Sequence, residues 1–470
     1  MSLQSLIPII SEDIKQNKDI LKINKDLFEI YEGDLSSKLE EKIRAEFSND
    51  TVQDVTTRAA PINIELRLVQ KMSQSYTKGP TRTVMNGTES DQVLLDWYVD
   101  KMDMNNIMNS SNEMFNFSNS SLLYPFVSGG LPNLRVIPSH QFWVYSQDKV
   151  LQKPTHIVTF AEDSTSILDT KEMVDKLFAY SSDEFLVTDH RGNIDREHMT
   201  SLMNPGINPF GQLPFVYINK SKFKLVPVPD IDMLKMSLII PMLMTDLFYA
   251  VKYQSFSTTY GIDLDFGNLR KAPNAFWDFQ SKNPGEGNPQ VGTIKPEVDI
   301  GQVLELIKSA LSLWFTTKGI SVSGIDSLSS SNFASGLSKI IDEMDVVDII
   351  RKQSAIYRRA EIELWNLVLK VMHPIWVRSG QIDQSTMFSP RATVDVSFPD
   401  IAPTFKRSDL IKEVKEEMEA GFTTKERAIK RLNPDMTDDE VFILMKEISE
   451  ERTIFPSPFI EDSEDMEEEL

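Results

Sequence analysis

The stretch that decides the reading is SSSNFASGLSK, residues 329–339, followed without a break by IIDEMDVVDIIRKQSAIYRRAEIELWNLVLKVM, residues 340–372. Nine of the first eleven residues are small or polar, with Phe333 and Leu337 the exceptions, and no charge occurs before Lys339. Serine and asparagine side chains compete for backbone hydrogen bonds and favour loops over helix interiors. The residues that follow are charged and apolar at helical spacing, which predicts a long helix over 336–373 ending at His373–Pro374. A neutral, hydroxyl-rich loop over 319–335 therefore leads straight into one of the longest helical patterns in the chain. Loops of that length are usually functional segments or linkers.

The pattern extends outward on both sides. Residues 299–318 form a predicted helix with Val303, Leu306/Ile307, Ala310/Leu311 and Trp314 on one face. Residues 231–257 form another, with Leu234, Leu238, Met242, Leu247/Phe248 and Val251, and Pro241 is expected to kink it. Between them, 258–297 is rich in Gly, Pro and Asn and carries the run NAFWDF (274–279), which predicts a small β-like or loop-rich unit held between two helices. Upstream, residues 1–60 read as helical, with Leu39, Ile43 and Phe47 on one amphipathic face. A further helix is expected from 62 to Gly79–Pro80, and 90–117 reads as helical again. FWVY (142–145), THIVTF (155–160) and EFLVTDHRGNI (184–194) are β-rich, with a hairpin turn at His190–Asn193. Downstream, RATVDVSF (391–398) alternates as a strand. Two Thr-x-x-Glu capping patterns, at 423–426 and 437–440, then mark a helical end region. The tail EDSEDMEEEL has seven acidic residues in ten, a composition too polar to pack.

A chain of 470 residues exceeds one ordinary core and implies two or more domains. It has no cysteine, which excludes disulfides, zinc–thiolate and iron–sulfur sites. The net charge of −21 argues against tight phosphate gripping, which needs a basic face. MSLQSLIPII lacks the basic stretch of a signal peptide. The longest unbroken apolar run, LIIPMLM (238–244), is far short of the roughly 18 residues of a membrane span, so no membrane partner is expected.

Catalytic motifs are missing. There is no Gly-x-x-x-x-Gly-Lys-Ser/Thr, His-Glu-x-x-His, Gly-x-Ser-x-Gly or Gly-x-Gly-x-x-Gly. Ser75–Lys78 fits Ser-x-x-Lys but lacks the companion motifs. The five histidines show no ligand spacing, and Asp263 and Asp265 would share a strand face and could bind a cation, but hard-cation sites normally need more ligands and a solvated turn is the preferred reading. No catalytic, cofactor-binding or metal site is expected, and the protein reads as a non-enzyme.

The order of these elements resembles the portal proteins of tailed bacteriophages over roughly residues 20–455. LFEIYEGDLSSKL (27–39) is similar to the family's Tyr-x-Gly segment. NIELRLVQKMSQSYTKGPTR (63–82) resembles the segment before its first wing strands, and NPFGQLPFVYINKS (208–221) the strand that leads into its first stem helix. ASGLSK (334–339) resembles the start of the tunnel helix, although Ser338 and Ile340 depart from that pattern. Residues 394–451 resemble the closing strand and helices.

The resemblance implies an α+β portal fold with long stem and tunnel helices, a β-rich wing, a small clip and a helical crown. It places the wing at 1–228, stem helices at 229–257 and 299–318, and the clip at 258–298. The tunnel loop, tunnel helix and wing return take 319–404, the crown 405–455 and an acidic tail 456–470. It implies a homo-oligomeric ring of about twelve subunits, a heterologous closed assembly, at one capsid vertex. The expected role is DNA packaging, head–tail connection and DNA ejection. The ring would assemble in the host cytoplasm and reside in the virion. Its partners would be double-stranded DNA, a packaging ATPase (terminase), the major capsid protein and head–tail adaptor proteins.

On this reading the tunnel loop faces DNA with Ser323, Ser327, Ser329, Ser330, Ser331 and Asn332, flanked by Lys318 and Lys339 and opposed by Asp326. Hydroxyl groups touch a phosphate backbone without the salt-dependent grip of a basic patch. Phe276, Trp277 and Phe279 are candidate clip contacts for the ATPase, or the clip's own small core. The alternative is a bacterial cytoplasmic interaction scaffold without catalytic activity.

Overall fold

The structure, a computed structural model, describes residues 2–47, 49–148, 153–160, 176–195, 206–255, 258–262, 290–294, 299–320, 336–399, 407–433, 436 and 440–447. The chain divides into a large unit (Met1–Asn332 and Asp345–Ile401) and a small one (Phe333–Met344 and Ala402–Leu470). The expected mixed helix-and-sheet class is what the structure has.

Five helices open the chain: α1 (Leu3–Gln16), α2 (Lys18–Tyr31), α3 (Leu35–Glu46), α4 (Asn49–Thr56) and α5 (Ile64–Met72). In α1 the buried residues Leu3, Leu6, Ile7, Ile10 and Ile14 recur at three- and four-residue spacing, the mark of one apolar stripe. Leu39 and Ile43 of α3 are buried, and Phe47 packs against the same cluster, as their spacing predicts. The helix expected to reach Gly79 instead stops at Met72. The chain turns there, and the Tyr76 hydroxyl donates to Glu361 at 2.7 Å. A buried hydrogen bond outweighs helix propensity at this point.

Strand β1 (Thr81–Met85) precedes α6 (Glu89–Lys101) and α7 (Met104–Ser118), which are separated by Asp103 in the left-handed region at φ 47°. Then come β2 (Ser120–Ser128), β3 (Leu131–Ile137), β4 (Phe142–Tyr145), β5 (His156–Phe160), β6 (Leu177–Tyr180), β7 (Phe185–Thr188) and β8 (Val216–Asn219). They form a three-stranded sheet in the order β3-β2-β8 and a four-stranded sheet in the order β4-β5-β6-β7, antiparallel throughout. The apolar stripe of α1 packs on the four-stranded sheet against Trp143, Val158 and Val187. Leu3 N–H donates to Glu184 at 2.6 Å, and Trp143 Nε1 donates to Asp13 at 2.8 Å. The turn expected at His190–Asn193 is present, closed by Asp189 N–H donating to Asn193 O at 3.0 Å.

Next are α8 (Ile231–Ser255), β9 (Thr258–Ile262), β10 (Gln290–Ile294) and α9 (Ile300–Thr317). β9 and β10 pair antiparallel, Thr258 opposite Ile294. α10 (Gly336–Trp365) is the long helix predicted from the opening stretch. It does not end at His373–Pro374. The backbone widens into a π-helical segment over Asn366–Met372 and resumes as α11 (His373–Arg378), with Pro374 in its first turn. Proline is tolerated there because a first-turn N–H has no helical partner to lose.

β11 (Thr393–Ser397) pairs antiparallel with β1, and its inward residues Val394 and Val396 are buried as the alternation predicts. The main core of the large unit gathers Tyr98, Phe115, Tyr357, Trp365 and Val396. In the small unit, α12 (Arg407–Glu419) and α13 (Lys425–Leu432) bury Val414 and Ala428 and are tied by Arg431 to Glu417 at 2.7 Å.

Candidate functional site at the root of a two-helix arm

α8 and α9 pack along each other through Ile240, Leu247 and Ile307, with Met236, Leu243 and Val303 beside them. With β9 and β10 between them in sequence, they make an arm of two helices. Ile231–Val251 is long and apolar enough to cross a membrane by length and composition, at mean hydropathy 1.5. A search for unbroken apolar runs misses this because Asp232, Lys235 and Asp246 interrupt it. Part of the apolar surface is unburied within the chain: Ile239 is 48% exposed, Phe248 46%, Leu306 62% and Leu313 69%. Leu306 and Leu313 are seven residues apart and so share one face of α9.

At the root of the arm one carboxylate joins its two helices. Asp230 precedes α8, and its Oδ1 accepts from Met233 N–H at 3.0 Å, an N-cap contact. The same carboxylate receives Lys318 Nζ, from the far end of α9, at 2.6 and 2.5 Å. Asp230 N–H donates to Phe117 O at 3.0 Å, which ties the clamp to α7. Lys220 Nζ donates to Asn119 Oδ1 at 3.0 Å. Burial lowers the Lys220 ammonium below the usual lysine range, Asp230 opposing and Lys318 reinforcing that effect.

α9 ends in a Schellman motif. Ile320 N–H donates to Phe315 O and Gly319 N–H to Thr316 O, each at 3.0 Å, with Gly319 at φ 72°, a conformation glycine adopts without strain. Ile320 is buried beside Phe315 and Trp314. The backbone up to Ile320 is therefore fixed by packing.

Of the residues expected to act at a DNA channel, Lys318 is the one whose side chain the structure describes, and it is engaged with Asp230. Ser323, Ser327, Ser329, Ser330, Ser331 and Asn332 lie outside the described residues, as do Phe276, Trp277, Phe279 and the pair Asp263 and Asp265. Lys339 lies in α10, whose first turns are described as backbone. Asp230 was not singled out from sequence, although Pro229-Asp230 directly before an apolar helical run is a cap signal.

Among the described residues no group of three or more His, Asp or Glu is placed to hold a metal ion. His373 is a packing group, with Nδ1 2.8 Å from the Tyr98 hydroxyl and Nε2 2.8 Å from Thr386 O. No family model matches this sequence, and no curated protein matches it.

Proposed function

We propose that the chain is a portal protein: one subunit of a closed ring that forms the DNA channel at a capsid vertex, for packaging, head–tail connection and ejection. The observation that carries the reading is the arm, two long helices with a strand pair between them and leucines 306 and 313 left uncovered on its outer face. Two leucines left in water on one face of one helix offer a contact surface, and a ring would bury them against a different patch of the neighbour.

The order of parts supports the same reading. The arm is followed by the turn at Gly319–Ile320, then by the long helix α10, then by the return strand β11 and the small helical unit. In a ring each subunit contributes one 321–335 segment to the bore. Serines and Asn332 then offer DNA neutral contacts, and Lys318, held by Asp230, sets the base of the segment rather than binding phosphate. The net charge of −21, repeated around a ring, repels a polyanion and favours sliding over sticking. The energy for packaging comes from a separate ATPase. That ATPase, the capsid protein and the adaptors are the partners of this reading.

The test is the mass and image of the purified full-length protein. A ring with a central hole supports the portal. A chain that stays monomeric at high concentration and with capsid partners present returns the interaction scaffold.

A further inference from the structure

Glu65 lies in the first turn of α5 and is 0% exposed. Neither of its carboxyl oxygens has a hydrogen-bond partner, and neither does Ser237 Oγ on α8. Ser237 is close enough to act on the Glu65 carboxyl without the geometry of a made bond. An ionised carboxylate left unpaired in an apolar interior is strongly disfavoured, and the group takes up a proton instead. The surroundings are apolar: Leu68, Val69, Met72, Met233 and Trp314 form one buried cluster here.

The charged and titratable groups around the site favour the same state. From the entry to α8, Asp230 adds negative charge. From α2 comes Tyr31, whose hydroxyl is coupled to Glu65 and also to Glu32 after α2 and Glu113 on α7. The Lys318 ammonium is held by Asp230. Burial, then the charge of Asp230, push the Glu65 carboxyl well above the usual range, against the opposing pull of Ser237.

We propose that Glu65 is a proton-operated latch between the body and the arm. The neutral carboxyl needs neither a counter-charge nor water and lets α8 seat on α5. Ionisation puts an unpaired charge in that apolar interior and a second negative charge beside Asp230, which releases the root of the arm. The latch belongs to a single chain and stands independently of the ring reading.

The sign follows from linkage. A carboxyl whose closed-state pKa lies above its open-state value favours the closed state at low pH and loses that preference as pH rises toward the closed-state pKa. The experiment is hydrogen exchange on the full-length protein across pH 6 to 9, corrected for intrinsic rates and read at the amides of α5 and the first turns of α8. The wild type should show an opening equilibrium that rises with pH, by at most about tenfold per unit, until the closed-state carboxyl has ionised. Glu65→Gln should remove that slope, and Ser237→Ala, which takes away the one group that pulls the Glu65 carboxyl down, should shift the onset of opening to higher pH. The same slope in wild type and Glu65→Gln, or no slope in wild type, overturns the latch. A measurement on the wild type alone guards against a variant that fails to fold: infrared difference spectra should show a protonated-carboxyl band at neutral pH that titrates with the opening. Absence of that band overturns the proposal regardless of any variant.

Discussion

The Lys318 ammonium sits 2.6 and 2.5 Å from the two oxygens of Asp230, so the end of one arm helix is bonded to the cap of the other. Both side chains are largely buried. Replacing one partner therefore leaves a charge with little water to solvate it. Asp230→Ala loses the cap as well as the pair and should cost about 2–4 kcal/mol. Lys318→Met should cost less, because the N-cap contact to Met233 remains. Urea unfolding of the two variants ranks them, and equal losses would deny the carboxylate its double role.

A second buried pair joins distant parts of the large unit. Arg82 on β1 donates from Nε to Glu361 Oε2 at 2.6 Å and from a terminal nitrogen to Oε1 at 3.0 Å. Tyr76 at 2.7 Å and Trp365 at 3.3 Å complete the shell around Glu361. Removing one member of a buried pair strands the other, so Glu361→Ala should destabilise by about 3–5 kcal/mol. The double variant Arg82→Met, Glu361→Leu should recover much of that loss, since a buried pair is costly to desolvate. A double-mutant cycle with additive losses would show the two groups to be uncoupled.

Asp91 gives the fold an acid-sensitive point. Burial acts to raise its carboxyl, but hydrogen bonds from the Thr88 and Ser389 N–H groups and hydroxyls outweigh it and hold the group down to about 2. A depressed folded-state pKa stabilises the fold above the unfolded value near ~4 and is lost as pH falls toward the folded value. Asp91→Asn should cost about 2 kcal/mol at neutral pH, and its deficit against wild type should narrow between about pH 4 and 2. A deficit that is constant across that window would mean Asp91 acts by shape rather than by charge.

The uncovered leucines make a sharper prediction about association. Leu306→Lys with Leu313→Lys places charges on the outer face of α9, where the chain itself buries neither side chain. The monomer should keep its melting temperature within a few degrees, because exposed substitutions away from packing usually change stability by about 0.5 kcal/mol or less. Association should be lost. A variant that unfolds instead would show that these positions belong to the chain's own core.

Much of the fold was legible where periodicity is strong. The alternation of 391–398 gave β11, the spacing in 340–365 gave α10, and the Gly/Pro/Asn-rich segment between two helical patterns marked the arm. What was not legible depended on distant partners. The end of α5 at Met72 is set by Tyr76 reaching Glu361, 285 residues away, and no local pattern reports that bond. The continuation past Pro374 needs the π-helical widening, which propensity does not encode. Glu65 reads as an ordinary charged residue on an amphipathic helix, and its burial is visible only once α8 lies across it. Lys318 was legible as a cation near the loop, whereas its partner Asp230 lies 88 residues earlier.

The most direct test of the central claim is native mass spectrometry of the full-length protein, paired with electron microscopy of the same sample. The account predicts a closed ring of about twelve chains with a central opening, which Leu306→Lys, Leu313→Lys converts to folded monomer. A wild-type protein that remains monomeric at high concentration and with its capsid partners present would contradict it.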